Sequence, residues 1–306
     1  MGFVPACEPV PCVGEDKESH MLNFTLLPLF SVFALSAAMT AQANISAGTI
    51  IPVQLKSSLD AKNCRPGQAV KAEVAQDVPL DNGATIKAGT RVSGEVLAVT
   101  PAGHSQPATI AFRLDKIEIL AQTMPIVTDL RAVASPLEVQ SAQLQISGDD
   151  RGSTPPWSQT VTLIGGDDTV YRESGTVQSG LDTVGTSVYA GNWGVMSQVA
   201  STPGEKCRGA FGGNNKLQAL WVFSHDACGA YGNEAVITHA GRSNPQGRIE
   251  LASTNGDLVV RGGSALLLRV IRDSGVNDAS LSEVSRRMQT RINDSEKVTE
   301  ALQTRY

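Results

Sequence analysis

The chain has little of what marks most enzymes and most nucleic-acid binders. Aromatic residues make up 5% of its 306 residues, and histidine occurs four times. Apart from Arg286-Arg287, Lys and Arg stand singly within a net charge of −5, so no basic stripe exists for a phosphate backbone and nucleic acid is excluded as a partner. There is no GxGxxG, no Walker loop, no GxSxG elbow, and no CxxC or HxxxH spacing. Dinucleotide, nucleotide, hydrolase and zinc sites thus lack their usual markers, and no cofactor or metal is expected. Charge itself is absent from Met21 to Leu55. What is plentiful is apolar residue (41%) and glycine (29 residues), set among many Val, Ile, Thr and Ser. That composition predicts a mainly β protein with many turns and enough apolar content for a core.

The uncharged window contains the apolar run LLPLFSVFALSAAM (26–39), followed by Ala41-Gln42-Ala43. Small-x-small after an apolar run is a signal-peptidase pattern, so Asn44 is the expected first mature residue and Met21 the expected start of translation. A retained anchor is the alternative, since a spanning helix needs about 18 residues and this run is near that length. Membrane contact is therefore expected only through residues 21–43, and only if they are not cleaved. Cysteine usage fits export. Cys207 and Cys228 stand 21 residues apart, each before a glycine-containing turn, and are the expected disulfide. Cys64, in the polar loop DAKNCRPGQ, is the odd thiol.

Five segments follow from texture. Residues 1–43 are the extension with its signal or anchor. Residues 44–135 form a first β block with strand-like alternation in AVKAEVAQDV, TRVSGEVLAVT and ATIAFRLDKIEIL, the last with a bulge before Ile117. Asn82-Gly83 marks a hairpin there. Residues 136–201 are rich in Gly, Ser, Thr and Asp, too poor in large apolars for a tight core, and read as a polar insertion looped out of the domain. Residues 202–275 are a second β block: Leu217, Ala219, Trp221 and Phe223 alternate as one buried strand, and Asn255-Gly256 marks a second hairpin. Residues 276–306 are a helical tail, with Leu281, Val284, Met288 and Ile292 on one face and Ser280/Glu283 as a capping box. That face reads as a surface stripe or a partner helix, and oligomerisation stays open. The fold expected is a small barrel or sandwich completed by the two blocks.

Few side chains point to chemistry. Ser224-His225-Asp226 are triad residue types, but neighbours on a strand face opposite ways and do not form a relay. Asp149-Asp150 and Asp167-Asp168 lack calcium-loop spacing, and His239 reads as a strand-end histidine. Trp157 and Trp193, with Tyr171 and Tyr189, are the aromatics of the insertion and its candidate ligand contacts.

One element recurs: ISAGTIIPVQL (45–55), IKAGTRVSGEV (86–96) and VRGGSALLLRV (260–270). Gly48, Gly89 and Gly263 supply a positive φ, Thr49, Thr90 and Ser264 a hydroxyl for the turn, and a β run follows. These are strand-opening corners. The stretch they belong to resembles the β-barrel domain of the TrbI-like family of conjugation and type IV secretion scaffolds over about 45–134, through Ala47, Gly48, Thr49, Ile51, Pro52, Leu55, Gly67, Val74, Asp77, Val78, Ile86, Gly89, Thr90, Val92 and Gly94. The second half is similar to uncharacterised exported proteins of acidobacterial type, through WVFSHDACG and HAGR. The family's apolar helical antenna corresponds here to the polar insertion. The resemblance implies a non-enzymatic cell-envelope module whose partners are envelope proteins. The alternatives are a cell-wall polymer binder using the insertion's aromatics and, last, a hydrolase using His225 or His239.

Overall fold

The structure is a computed structural model. It describes residues 44–119, 121–143, 160–162, 168–171, 176–179, 181–188, 194–201, 213–232, 235–238 and 246–274. The tail expected at 276–306 lies outside the described residues, as do residues 1–43.

The chain is mainly β. The larger sheet takes strands from both ends of the sequence: β1 (Ile50–Leu55), β3 (Ala69–Val74), β6 (Arg91–Thr100), β7 (Thr109–Ile119), β8 (Gln122–Pro125) and β9 (Thr128–Ala134), then β16 (Gly229–Tyr231), β17 (Ala235–Thr238), β18 (Ile249–Ser253) and β20 (Ala265–Val270). Their order is β16-β9-β20-β1-β3-β6-β7-β18-β17, with β8 also on β7. Thus β20 is threaded between β9 and β1, and β18 lies against β7. All these pairs are antiparallel except β16 with β9.

The sheet is not closed into a barrel, because its edge strands β16 and β17 are not hydrogen-bonded to each other. It is nevertheless rolled. Nine strands laid flat span about 38 Å, whereas β16 and β17 are joined by only three residues, 232–234, which reach at most about 14 Å. The concave side holds the main core, with Ile51, Val53, Leu55, Val70, Val74, Val92, Val96, Phe112, Leu114, Ile117, Leu130, Leu266 and Leu268 all buried. A second cluster covers the opposite face of β1, β9 and β20, where Ile50, Ala132, Ala134 and Leu267 meet Val139 of α1 (Pro136–Gln143) and Leu220–Phe223. Burial on both faces explains the unbroken apolar run of β20.

Local sequence accounts for several irregularities. Pro52 lies in a central strand, yet the β1–β3 ladder begins only at Val53↔Val74, so its missing N–H costs no ladder bond, and its carbonyl accepts from Ala75. On β7 the register jumps from Leu114 to Lys116 opposite Gly94 and Ser93, leaving Asp115 as the bulged residue and returning Ile117 to the core. Gly94 lies at that bulge, where a Cβ would collide with the Arg113 carbonyl oxygen. Asn82-Gly83 joins β4 (Val78–Pro79) to β5 (Thr85–Ile86) as a hairpin, with Gly83 at φ 80°. Asn255-Gly256 turns the chain but makes no hairpin: β18 pairs with β7 and β17, while β19 (Val259–Val260) pairs with β2 (Leu59–Asp60).

The 136–201 segment differs from the looped-out insertion that its composition predicts. After α1 it forms β10 (Thr160–Thr162), β11 (Asp168–Tyr171), β12 (Thr176–Ser179), β13 (Asp182–Val188) and β14 (Gly194–Val199), which with β15 (Asn214–Ala219) make a six-stranded antiparallel meander. Among the described residues its own buried cluster is only Val177 and Val195, with Val184 beside them. Val199 of β14 and Ala219 of β15 are buried in the clusters of the larger sheet instead. It is tied to the larger sheet by the buried side chain of Gln76, which donates to Val195 O (3.0 Å) and accepts from Trp221 N–H (2.7 Å). Gln218 adds a bond, accepting from Ile50 N–H.

Candidate functional site

The recurring corner is a type II turn running into a β-bulge. In Ser46–Thr49 the Thr49 N–H donates to Ser46 O (3.2 Å), with Gly48 at φ 91° in the third position. Gly48 N–H then donates to Val270 O, and Val270 N–H to Thr49 O, so two residues face one across the ladder. Lys87–Thr90 repeats this against Val74, and Arg261–Ser264 repeats it against Leu55, with Gly89 at 83° and Gly263 at 88°. The structure adds a fourth copy: Arg65–Gln68 against Val96, with Gly67 at 83°. Its sequence, RPGQ, lacks the small-Gly-(Thr/Ser) signature, so only the Pro-Gly turn was legible.

The second turn residue also has an N–H to satisfy, and the partner strand supplies the acceptor three residues beyond the paired position. Asp273 accepts from Ala47 (2.7 Å), Asp77 from Ala88 (2.8 Å), and Ser58 from Gly262 (2.9 Å). In the fourth copy that turn residue is Pro66, which has no N–H, and the matching position is the apolar Val99. Asp77 is also ion-paired to Lys87; this contact and the Ala88 N–H hold its carboxyl below the usual carboxylate range.

Triad residue types come together differently from their reading as a strand. The strand β15 ends at Ala219, and Leu220–Phe223 is a turn with Trp221 at φ 53°. Ser224–Ala227 is a further turn, in which Ser224 Oγ donates directly to Asp226 (2.5 Å). His225 takes no part in that bond; its carbonyl accepts from Ala200 N–H. Beneath this loop lies Arg131 of β9, fully buried, donating to Ala227 O (2.8 Å) and Ala200 O (3.4 Å). Burial, and then Arg269, lower its pKa to about 10, against the pull of Asp226. Burial likewise raises the Tyr231 phenol, which bridges Cys228 N–H and O. These groups pin a loop and do not converge on a reacting atom. Among the described residues no three His, Cys, Asp or Glu side chains are grouped to hold a metal.

Cys228 is disulfide-bonded and Cys64 is a free, buried thiol. Cys207 lies outside the described residues, as do Trp157, Trp193, Tyr189, His239, Asp149-Asp150 and Asp167. Of Tyr171 only the backbone of β11 is described.

No family model matches the chain, and no curated protein matches it.

One concavity was not foreseen from the sequence. It is a cavity of about 540 Å3 between the start of α1 (Ser135, Pro136, Leu137, Gln140), Gly232, β19 and the fourth corner in chain order (Asp257, Val259, Arg261, Ser264). Ser135 caps α1, accepting from Glu138 N–H (3.3 Å). Asp257 is ion-paired to Lys62. A smaller cavity of about 340 Å3 adjoins the first corner, beside the exposed Asp81–Lys216 ion pair.

Proposed function

We infer that this chain is a non-enzymatic, exported cell-envelope module that acts by holding other envelope components. The observation that carries the reading is the corner repeated four times. Three copies fall in the stretch resembling the TrbI-like scaffold barrel, where turn glycines, with partner-strand caps in two of the three, fix the corners. Two further features favour it. The disulfide on Cys228 suits an oxidising compartment. Ser224 and Asp226 are bonded to each other without His225, and the larger cavity is lined without histidine or cysteine.

The second reading, a cell-wall polymer binder, is favoured by the insertion being a built sheet. Trp193 immediately precedes β14 in the sequence, and Trp157 comes shortly before β10.

Fractionation with cross-linking in intact cells tests the first reading. The expected result is recovery in the envelope fraction within a complex larger than one chain; a soluble cytoplasmic monomer would refute it. Pull-down on isolated cell wall, lost in Trp157→Ala with Trp193→Ala, would instead establish the second.

A further inference from the structure

We propose that the cavity beside α1 binds the carboxyl end of a peptide, with the carboxylate on Arg261 and Ser264 and the last apolar side chain on Leu137 and Val259. Three observations converge there. Ser264 is fully buried, yet its hydroxyl has no hydrogen-bond partner. At the equivalent position of two of the other three corners the side chain folds back on its own turn: Thr49 Oγ1 donates to Ser46 O, and Gln68 Oε1 accepts from Arg65 N–H. Ser264 keeps the corner's backbone bonds and lines the cavity, while its buried hydroxyl is left without a partner. A buried hydroxyl without a partner is costly, and an acceptor placed in the cavity relieves that cost.

The second observation is charge. Arg261 is exposed on the same wall and forms no ion pair among the described residues. The acid that shares the wall, Asp257, is neutralised by Lys62. A guanidinium beside a hydroxyl donor is the pairing that a carboxylate accepts from best.

The third is apolar exposure. Leu137 (69% exposed) and Val259 (40%) are two of the four large apolar side chains exposed among the described residues, and both line this cavity. A ligand that covers them while supplying an acceptor answers all three features. The volume, about 540 Å3, suits a short peptide end.

The inference rests on reading the chain as a binding module, and it does not depend on compartment, so it can fail while the envelope assignment stands. The test is a titration of the isotopically labelled full chain with N-acetyl-leucine, N-acetyl-leucinamide and alanyl-alanyl-leucine. Saturable amide shifts are expected at Leu137, Arg261 and Ser264, with a Kd of about 1 mM or tighter for ligands this small. The tripeptide should bind more tightly than the single acid, and the carboxamide about tenfold more weakly than the acid. Arg261→Gln should weaken the acids about tenfold and leave the carboxamide unchanged. Ser264→Ala should weaken acid binding without lowering Tm, since the hydroxyl makes no bond in the free protein. Absence of saturable shifts, equal binding of acid and carboxamide, no advantage for the tripeptide, or indifference to Arg261→Gln overturns the proposal.

Discussion

Gly89 and Gly94 lie five residues apart and meet different demands. At Gly89 no atom stands within 4 Å of where a Cβ would be, so the only obstacle is φ 83°. Gly89→Ala is therefore expected to cost about 1–2 kcal/mol, and Gly89→Asn clearly less, because asparagine tolerates the left-handed region. Gly94 has no such conformational need, but its missing Cβ lets the Arg113 carbonyl approach across the β6–β7 bulge. Gly94→Ala should cost about 3 kcal/mol or more, since backbone must move. Chemical denaturation of the three variants checks the order. Asp77 gives the residue-scale prediction for pH. Its folded carboxyl titrates below the ordinary value, so the ionised form is the one that folding favours. The contribution is complete above the ordinary carboxylate pKa of about 3.9 and is lost as pH falls through the lower folded value. With the side chain 44% exposed, screening limits it to about 0.5–1 kcal/mol. The destabilisation caused by Asp77→Asn should accordingly be present at neutral pH and vanish in acid melts.

At the scale of elements, the loop running from β15 to β16 is organised from below. Arg131 supplies the donors for the Ala227 carbonyl of this loop and for the Ala200 carbonyl just after β14, and the Tyr231 hydroxyl closes the turn at Cys228. Arg131→Met keeps volume but leaves the Ala227 and Ala200 carbonyls without their donor, at an expected cost of about 2–4 kcal/mol. Hydrogen exchange should localise the damage: the Ala200 and Ala227 amides, bonded to His225 O and Ser224 O, lose protection while β1 and β3 amides keep theirs. This loop is also where the sequence misled most. Leu217, Ala219, Trp221 and Phe223 alternate as a strand should, yet the chain turns at Leu220, because burial in the second cluster favours a compact turn and Trp221 accepts a positive φ to reach it. Alternation reports which side chains are buried and says nothing about whether the backbone stays extended. The same limit applies to Asn255-Gly256, a legible turn whose flanking strands find partners elsewhere in the chain. Period-2 stretches with nearby partners, β3, β6 and β7, were readable down to the bulge at Asp115. The cavity beside α1 was not readable at all, since residues near 135, 232 and 260 meet there only through long-range pairing.

At the scale of the whole molecule, the centre of the large sheet repeats itself. The pairs β20–β1 and β3–β6 are each opened at both ends by the same corner, every corner bonding to its partner strand within the pair. The register shift between β20 and β9, and the first of the two between β6 and β7, each fall four residues past the corner glycine. This places an approximate two-fold axis between β1 and β3, with one related strand, β20, arriving only near the end of the described chain. Such a sheet stays incomplete until β20 inserts, so whatever tethers the distal segment restrains the unfolded chain most. The disulfide on Cys228 lies in that segment. If Cys207 is its partner, as the sequence implies, it closes a loop of about 22 residues and stabilises the fold by about 3 kcal/mol on the chain-entropy relation. Peptide mapping without reduction should recover a Cys207–Cys228 peptide and an unmodified Cys64 that alkylates only after unfolding, because that thiol is buried. Reduction, or Cys228→Ala, should lower the denaturation midpoint by the corresponding amount without changing the cooperativity of β1–β20 pairing. A midpoint insensitive to reduction, or a mapped bridge to Cys64, would refute this account of how the second β block is stabilised.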